Sequence, residues 1–198
     1  RQVGHYWLRS SHMSPSSNIR NHLDSEILRI KQFAFEVNSG VISSSKGTKF
    51  KNILWIGIGG SSLGPVFIIN ALKDFSKGLN FYFLDNVDPV GICETLDILD
   101  PELSETLIVV VSKSGGTLEP LICMEQARFR FENKGLNWNQ HSVAITMKDS
   151  KLDSLAQREN WLNSFDLPDW VGGRTSITGA VGLLPAALVG GDLDKFLE

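Results

Sequence analysis

The feature that most constrains this chain is an alternation that begins at Ile53. Short runs that are apolar on both faces through their middles, "ILWIGI", "FYFL", "TLIVVV" and "HSVAITM", are separated by longer stretches with helical character. A strand apolar on both faces has to be covered on both faces, and the helices between such strands supply the cover. The pattern predicts an α/β fold: a parallel sheet buried on both faces by helices. The helical stretches are "SLGPVFIINALKDF", "PVGICETLDIL", "TLEPLICMEQARFRFENKG", "SKLDSLAQREN" and "ITGAVGLLPAALVG". In the first, Leu63, Phe67, Ile68 and Leu72 are expected on the buried side, with Pro65 in the opening turn. The third is expected to close at Gly135. The last is so apolar that only a larger protein is expected to cover it, with self-association through that surface if the chain stands alone.

Residues 1–50 read differently. "NIRNHLDSEILRIKQFAFEVNSG" places Ile27, Ile30, Phe33 and Val37 close to helical spacing, with Asp24 or Ser25 as the expected N-cap and Ser39-Gly40 as the stop. We expect an N-terminal helical segment over 1–50 packed on a main domain over 51–198.

Composition then removes several classes. The 198 residues are 42% hydrophobic and 21% charged, a globular balance with enough length for one core. A net charge of −3 argues against nucleic acid or an anionic membrane as the main partner, but not against one local phosphate site. The two cysteines, Cys93 and Cys123, form no CxxC or Cys/His cluster, which argues against a disulfide framework and a zinc site and for a reducing compartment. No stretch has transmembrane length, and "RQVGHYWLRSSHM" lacks a signal-peptide core, so a cytoplasmic setting is expected. The chain opens at Arg1 and closes at "GGDLDKFLE", and both ends read as cut.

In a parallel sheet, ligands bind beyond the carboxyl ends of the strands, where helix N-termini converge. The unusual loops of this chain follow its strands. "SKSGGTLEP" (112–120) offers the hydroxyls of Ser112, Ser114 and Thr117, the cation of Lys113 and the pliable backbone of Gly115 and Gly116 at a helix start. That combination suits an oxyanion; an ordinary turn capped by Thr117, with Glu119 in the first helical turn, is the bland alternative. Lys113 precedes the glycines, so this is not a P-loop. "GIGGSSLG" (57–64) has GxG spacing, and Asp85 closes the next strand, but Ser62 stands where a dinucleotide fingerprint needs its third glycine. Nicotinamide binding is therefore a distant reading. Ser61 and Ser62 remain as hydroxyls at a helix start. "DWVGGRTS" (169–176) sets Arg174 behind a Gly-Gly pair, a fixed cation for a developing oxyanion; alone, a surface ion pair to Asp166 or Asp169 would be the simpler reading.

Together, "GIGGSSLGP", "SKSGGTLEP" and "DWVGGRTS", in this order, resemble the glucose-6-phosphate isomerases (phosphoglucose isomerases), and "GHYWLR" is similar to the start of the bacterial and cyanobacterial-type enzymes. The resemblance covers essentially the whole chain and corresponds to the N-terminal sugar-isomerase (SIS) domain of a longer protein; the family's second SIS domain is absent here. It implies a flavodoxin-like parallel sheet sandwiched by helices. It implies that Ser112, Lys113, Ser114, Gly115, Gly116 and Thr117 form the sugar-phosphate loop, that Gly60 and Ser61 are a second substrate-contacting turn, and that Gly173 and Arg174 belong to the substrate site. Arg174 would stabilise an enediolate, and Glu119 would lie near the ring-opening histidine. Many relatives carry "SKTFTT" in place of "SKSGGT"; Gly116 then lacks a hydroxyl they often have, which shifts phosphate binding toward backbone N–H groups.

The activity implied is interconversion of glucose 6-phosphate and fructose 6-phosphate through a cis-enediolate, without metal or redox cofactor, in a cytoplasmic homodimer that binds neither nucleic acid nor membrane. The family's glutamate base, histidine and lysine lie in its C-terminal part, so the fragment alone is expected to be inactive. His5, His12, His22 and His141 do not match the catalytic histidine, and Glu198 is not the base. A stand-alone sugar-phosphate-binding regulatory module is the alternative.

Overall fold

The computed structural model describes residues 3–72 and 78–198. Five parallel strands form one sheet: β1 (Asn52–Ile56), β2 (Asn80–Leu84), β3 (Thr106–Val111), β4 (Ser142–Thr146) and β5 (Asn163–Asp166). Their spatial order is β2-β1-β3-β4-β5, the flavodoxin-like order, and the connection reverses direction between β1 and β3. The central strands β1, β3 and β4 are buried at every position, as their unbroken apolar runs require. The fifth strand, "NSFD", lies outside what the sequence pattern predicts. It sits at the sheet edge and buries only Phe165, so it carries no apolar run to find.

The two sheet faces build separate cores. On one lie α1 (Ser17–Ser39), α2 (Gly60–Ala71) and α6 (Ala180–Leu188), with Phe33, Trp55, Val109, Leu184 and Phe165 among the shared buried residues. On the other lie α3 (Pro89–Leu99), α4 (Leu118–Asn133) and α5 (Lys151–Arg158), around Ile56, Ile108, Met124 and Phe131. A short α7 (Leu193–Leu197) follows α6.

Four expectations need correction. Helix α1 starts two turns earlier than Asp24 or Ser25: Ser16 is the cap and accepts from the Ile19 amide at 3.3 Å. The apolar spacing already begins at Ile19 and Leu23, both packed into the core. The stop holds, with Gly40 at φ 84, a left-handed conformation that suits glycine. Helix α2 starts at Gly60, so Pro65 lies inside it and not in the opening turn. Leu63 and Phe67 are exposed, while Ser62, Pro65 and Ile68 face inward. The earlier start rotates the buried face away from the larger apolar residues. Positions 73–75 of that expected helix lie outside the described residues.

The apolar stretch 177–190 is the fourth. It needs no outside cover. A 3₁₀ segment (Gly173–Thr178) turns at Gly179 into α6, which is buried at all but one position against α1 and α2. Gly182 permits this packing, because a Cβ there would collide with the Ile177 carbonyl. The self-association expected through this surface therefore has no surface to act on. Among the described residues no helix is long and apolar enough to cross a membrane.

Candidate functional site

The direction reversal between β1 and β3 opens a crevice beyond their carboxyl ends. The loop after β1 (57–59), the loop after β3 (112–117) and the 169–174 segment meet there through specific contacts. At Gly59, φ 58 and ψ −122 turn the chain sharply into α2. At Gly60 the backbone lies directly against Gly173: a Cβ would collide with the Gly173 carbonyl and stand 2.7 Å from the Arg174 amide nitrogen. Gly60 and Gly173 are thus glycine and backbone in one contact, and Arg174 follows immediately.

A second tie joins the other two segments. Lys113 donates from Nζ to the carbonyls of Asp169 at 2.6 Å and Val171 at 2.9 Å. Its ammonium therefore holds the arginine-bearing segment to the loop after β3. A third tie comes from the N-terminus. The Gly4 amide donates to the Trp170 carbonyl at 3.4 Å, and the rings of Trp7 and Trp170 lie 5.2 Å apart. The same segment and Lys113 border a cleft of about 740 Å³ that also touches Val3, His5 and Thr175.

Arg174 itself is exposed, with no ion pair among the described residues. The surface pairing weighed from sequence does not form. Asp166 instead meets His22 at 2.9 Å, and among the described residues the one Asp169 atom bonded to a cation is its backbone carbonyl, held by Lys113. The guanidinium is left available to a ligand.

The loop after β3 has the geometry of an anion cradle at the N-terminus of α4. Thr117 occupies the N-cap position, yet its hydroxyl makes no capping bond. Ser112 is buried, 7% exposed, and its Oγ is enclosed without a hydrogen-bond partner among the described residues. A buried hydroxyl left unpaired costs about 1–3 kcal/mol, which a bound acceptor would recover. Ser114 is exposed, and its Oγ accepts from the Gly116 amide at 3.2 Å. The Ser112 carbonyl is satisfied by Thr146 Oγ1 at 2.7 Å, which leaves the side chain as the orphan. Gly115 adopts φ +65, and a Cβ on it would collide with the Leu152 amide, so α5 can rest directly on the loop. Ser61 is half-buried at the start of α2, and Glu119 is half-buried in the first turn of α4.

The structure brings Gly60, Ser61, Gly173 and Arg174 together on one side, and Ser112 to Thr117 with Glu119 on the other, joined by Lys113. Sequence reasoning misses three participants. It leaves Trp7 and Trp170 unpaired, although both lie in quoted motifs. It places Lys151 in "MKDSK" (147–151), the loop after the fourth strand, but gives it no role. Among the described residues, no group of three or more His, Cys, Asp or Glu side chains is placed to hold a metal ion.

The family model for phosphoglucose isomerase matches residues 1–198. A glucose-6-phosphate isomerase of Prochlorococcus marinus is 57% identical over 198 residues, all of this chain and 37% of that protein. One from Parasynechococcus marenigrum (strain WH8102) is 56% identical over 197 residues, with 36% of its length covered. The chain thus spans well under half the length of these curated relatives. The crystal structure of a glucose-6-phosphate isomerase from Chlamydia trachomatis D/UW-3/Cx superposes with a TM-score of 0.81 at 33% identity, covering 98% of this chain and 36% of that one. A hypothetical protein from Thermus thermophilus superposes with a TM-score of 0.76 at 32% identity, covering 98% of this chain and 41% of that one.

Proposed function

This chain belongs to the phosphoglucose isomerase family, and from that membership we propose that the protein carrying it interconverts glucose 6-phosphate and fructose 6-phosphate. The observation that carries the reading is the enclosed, unpartnered hydroxyl of Ser112, where β3 passes into the loop that leads to α4. The loop needs an acceptor, and a sugar 6-phosphate brings three oxygens.

In this reading Ser112, Ser114 and Thr117 hold the phosphate with the amides of Gly115 and Gly116, and the α4 dipole favours its charge. Gly60 and Ser61 line the sugar from the turn after β1. Arg174, unpaired and fixed by the Gly60–Gly173 contact, faces the oxygens that gain charge as the enediolate forms. Glu119 stands near the phosphate loop and orients a neighbouring acid–base group. A proton moves between C2 and C1 of one substrate, so atoms and electrons balance within it and no hydride acceptor is required. The reading carries with it a homodimer in the cytoplasm and a division into an N-terminal segment over 1–50 and a sugar-phosphate-binding domain over 51–198.

A coupled assay on the protein at its natural length tests this. Conversion of fructose 6-phosphate to glucose 6-phosphate is expected, with strong loss in Arg174→Ala. Absence of turnover in the unaltered protein rejects the reading.

A further inference from the structure

A cavity of about 230 Å³ opens between α4 and α5 beside the loop after β3. Ser112, Gly115, Thr117, Lys151, Leu155 and Arg158 are among the residues that line it. Two observations make it more than a groove. Ser112 belongs to its wall, and the buried Oγ of that residue has no hydrogen-bond partner among the described residues. Lys151 and Arg158 also line it, and neither has an ion-pair partner among the described residues. Leu121, Met124 and Leu155 give the cavity an apolar side, and the two cations with Ser112 and Thr117 give it a polar side that suits an anion.

The loop's own cation cannot serve that anion freely, because the Lys113 ammonium is engaged with two carbonyls of the 169–171 segment. Lys151 is placed to replace it. It is the first residue of α5, and α5 reaches the loop because Gly115 has no side chain to keep the Leu152 amide away. The Lys151 stem then passes over Gly116: a Cβ at Gly116 would lie 3.9 Å from Lys151 Cδ and 3.9 Å from Ser114 Oγ. The glycine pair and the lysine are therefore one device. Gly115 admits the helix, and Gly116 leaves the space through which the stem runs toward the loop.

We propose that Lys151 is a phosphate-binding residue of the loop formed by Ser112 to Thr117, supplying from the next helix the cation that completes the cradle. This deepens the sugar-phosphate reading above and rests on it. The lysine acts on binding and touches none of the reacting carbons, so its effect falls on affinity and not on turnover.

Calorimetric titration with inorganic phosphate, on the protein at its natural length, separates this inference from the reading beneath it. Lys151→Met keeps the stem and removes the charge. It is expected to weaken phosphate about fivefold, between an exposed ion pair and a fully charge-assisted bond. The difference should shrink as ionic strength rises. Lys151→Arg should stay within about twofold of the unaltered protein, since it keeps the charge. Thr117→Ala, in the cradle itself, should weaken phosphate as well. If Thr117→Ala weakens phosphate and Lys151→Met leaves it unchanged, the role of Lys151 is wrong and the cradle stands. If neither variant changes phosphate binding, the cradle and the lysine fall together. Weakening by Lys151→Arg equal to that by Lys151→Met would also overturn the proposal, because the charge would then not be what matters.

Discussion

The indole N–H of Trp55 donates to the carbonyl oxygen of Ser61 at 2.7 Å. In an unbroken helix that oxygen would accept from the amide four residues on, but that residue is Pro65, which has none. A core tryptophan of β1 thus satisfies the acceptor that a proline orphans in α2, at the turn where Ser61 enters the site. Removing the indole should leave that acceptor unpaired. Trp55→Phe should cost about 2–4 kcal/mol in the isolated chain, from lost packing and an unpaired carbonyl. In a Pro65→Ala background the restored amide can take the carbonyl, so the cost of Trp55→Phe should drop by about 1 kcal/mol. A double-mutant cycle in urea measures the difference; strict additivity would show that the two residues do not share that acceptor.

The contact between Gly60 and Gly173 makes a sharper demand. A methyl at position 60 has no room unless the arginine-bearing segment moves away. In the protein at its natural length, Gly60→Ala should therefore lower kcat by about tenfold or more through displacement of Arg174, with the crevice loops otherwise intact. Gly64→Ala, one turn further along α2, is the control, since the nearest atoms to a Cβ there belong to the Ile177 side chain, at an ordinary contact distance of 3.7 Å. Near-equal kcat values for the two variants would remove the contact from the positioning of Arg174.

The fold is readable because the central strands are buried on both faces, which leaves runs such as "TLIVVV" with no polar interruption. The strand β5 is not, because an edge strand with Phe165 as its one buried residue looks like any loop. The buried face of α2 fails for a related reason. Leu63 and Phe67 obey helical spacing yet point outward, and only the start at Gly60, fixed by its contact with Gly173, sets the rotation. At the site, glycines and hydroxyls announce themselves as loop chemistry. What they cannot announce is engagement. That Lys113 grips two carbonyls, that the Thr117 hydroxyl makes no capping bond, and that α5 brings Lys151 onto Gly116 all depend on distant segments meeting.

His141 gives a pH dependence of stability with a definite sign. It is fully buried at the amino end of the sheet. Nδ1 donates to the Thr106 carbonyl at 2.8 Å, while Nε2 accepts from the Ser45 hydroxyl at 2.8 Å and the Ser45 amide at 3.2 Å. Burial pushes its pKa below the ordinary imidazole value, with the Thr106 carbonyl opposing in part. The unfolded chain then takes up a proton at about pH 6.5, where the folded chain does not. The stabilisation is complete above that value and is lost as pH falls from there through the lowered folded value. Urea unfolding at about pH 7.5 and about pH 5, on either side of the ordinary imidazole value, should show a stability loss that is smaller in His141→Gln. An equal loss in both proteins would assign the pH dependence to carboxylates instead.

The two halves of the site should separate in kinetics. Thr117 sits on the loop after β3 with its hydroxyl making no capping bond, and Arg174 sits on the tethered segment with its guanidinium unpaired among the described residues. A hydroxyl that binds phosphate does so equally in ground state and transition state. Its loss is uniform, and a charge-assisted bond is worth about 1.5–3 kcal/mol, or roughly one to two decades. In the protein at its natural length, Thr117→Ala should raise KM for fructose 6-phosphate by about that factor with a smaller change in kcat. The partner charge of Arg174 develops only as the enediolate forms, so Arg174→Ala should lower kcat by about two decades or more while KM moves little. Inhibitors make the distinction independent of turnover. Sorbitol, which has no phosphate, should bind Thr117→Ala and the unaltered protein almost equally, whereas sorbitol 6-phosphate should bind the variant more weakly. Equal weakening of both inhibitors would mean that the Thr117 side chain shapes the turn and touches no phosphate, despite its place at the head of α4.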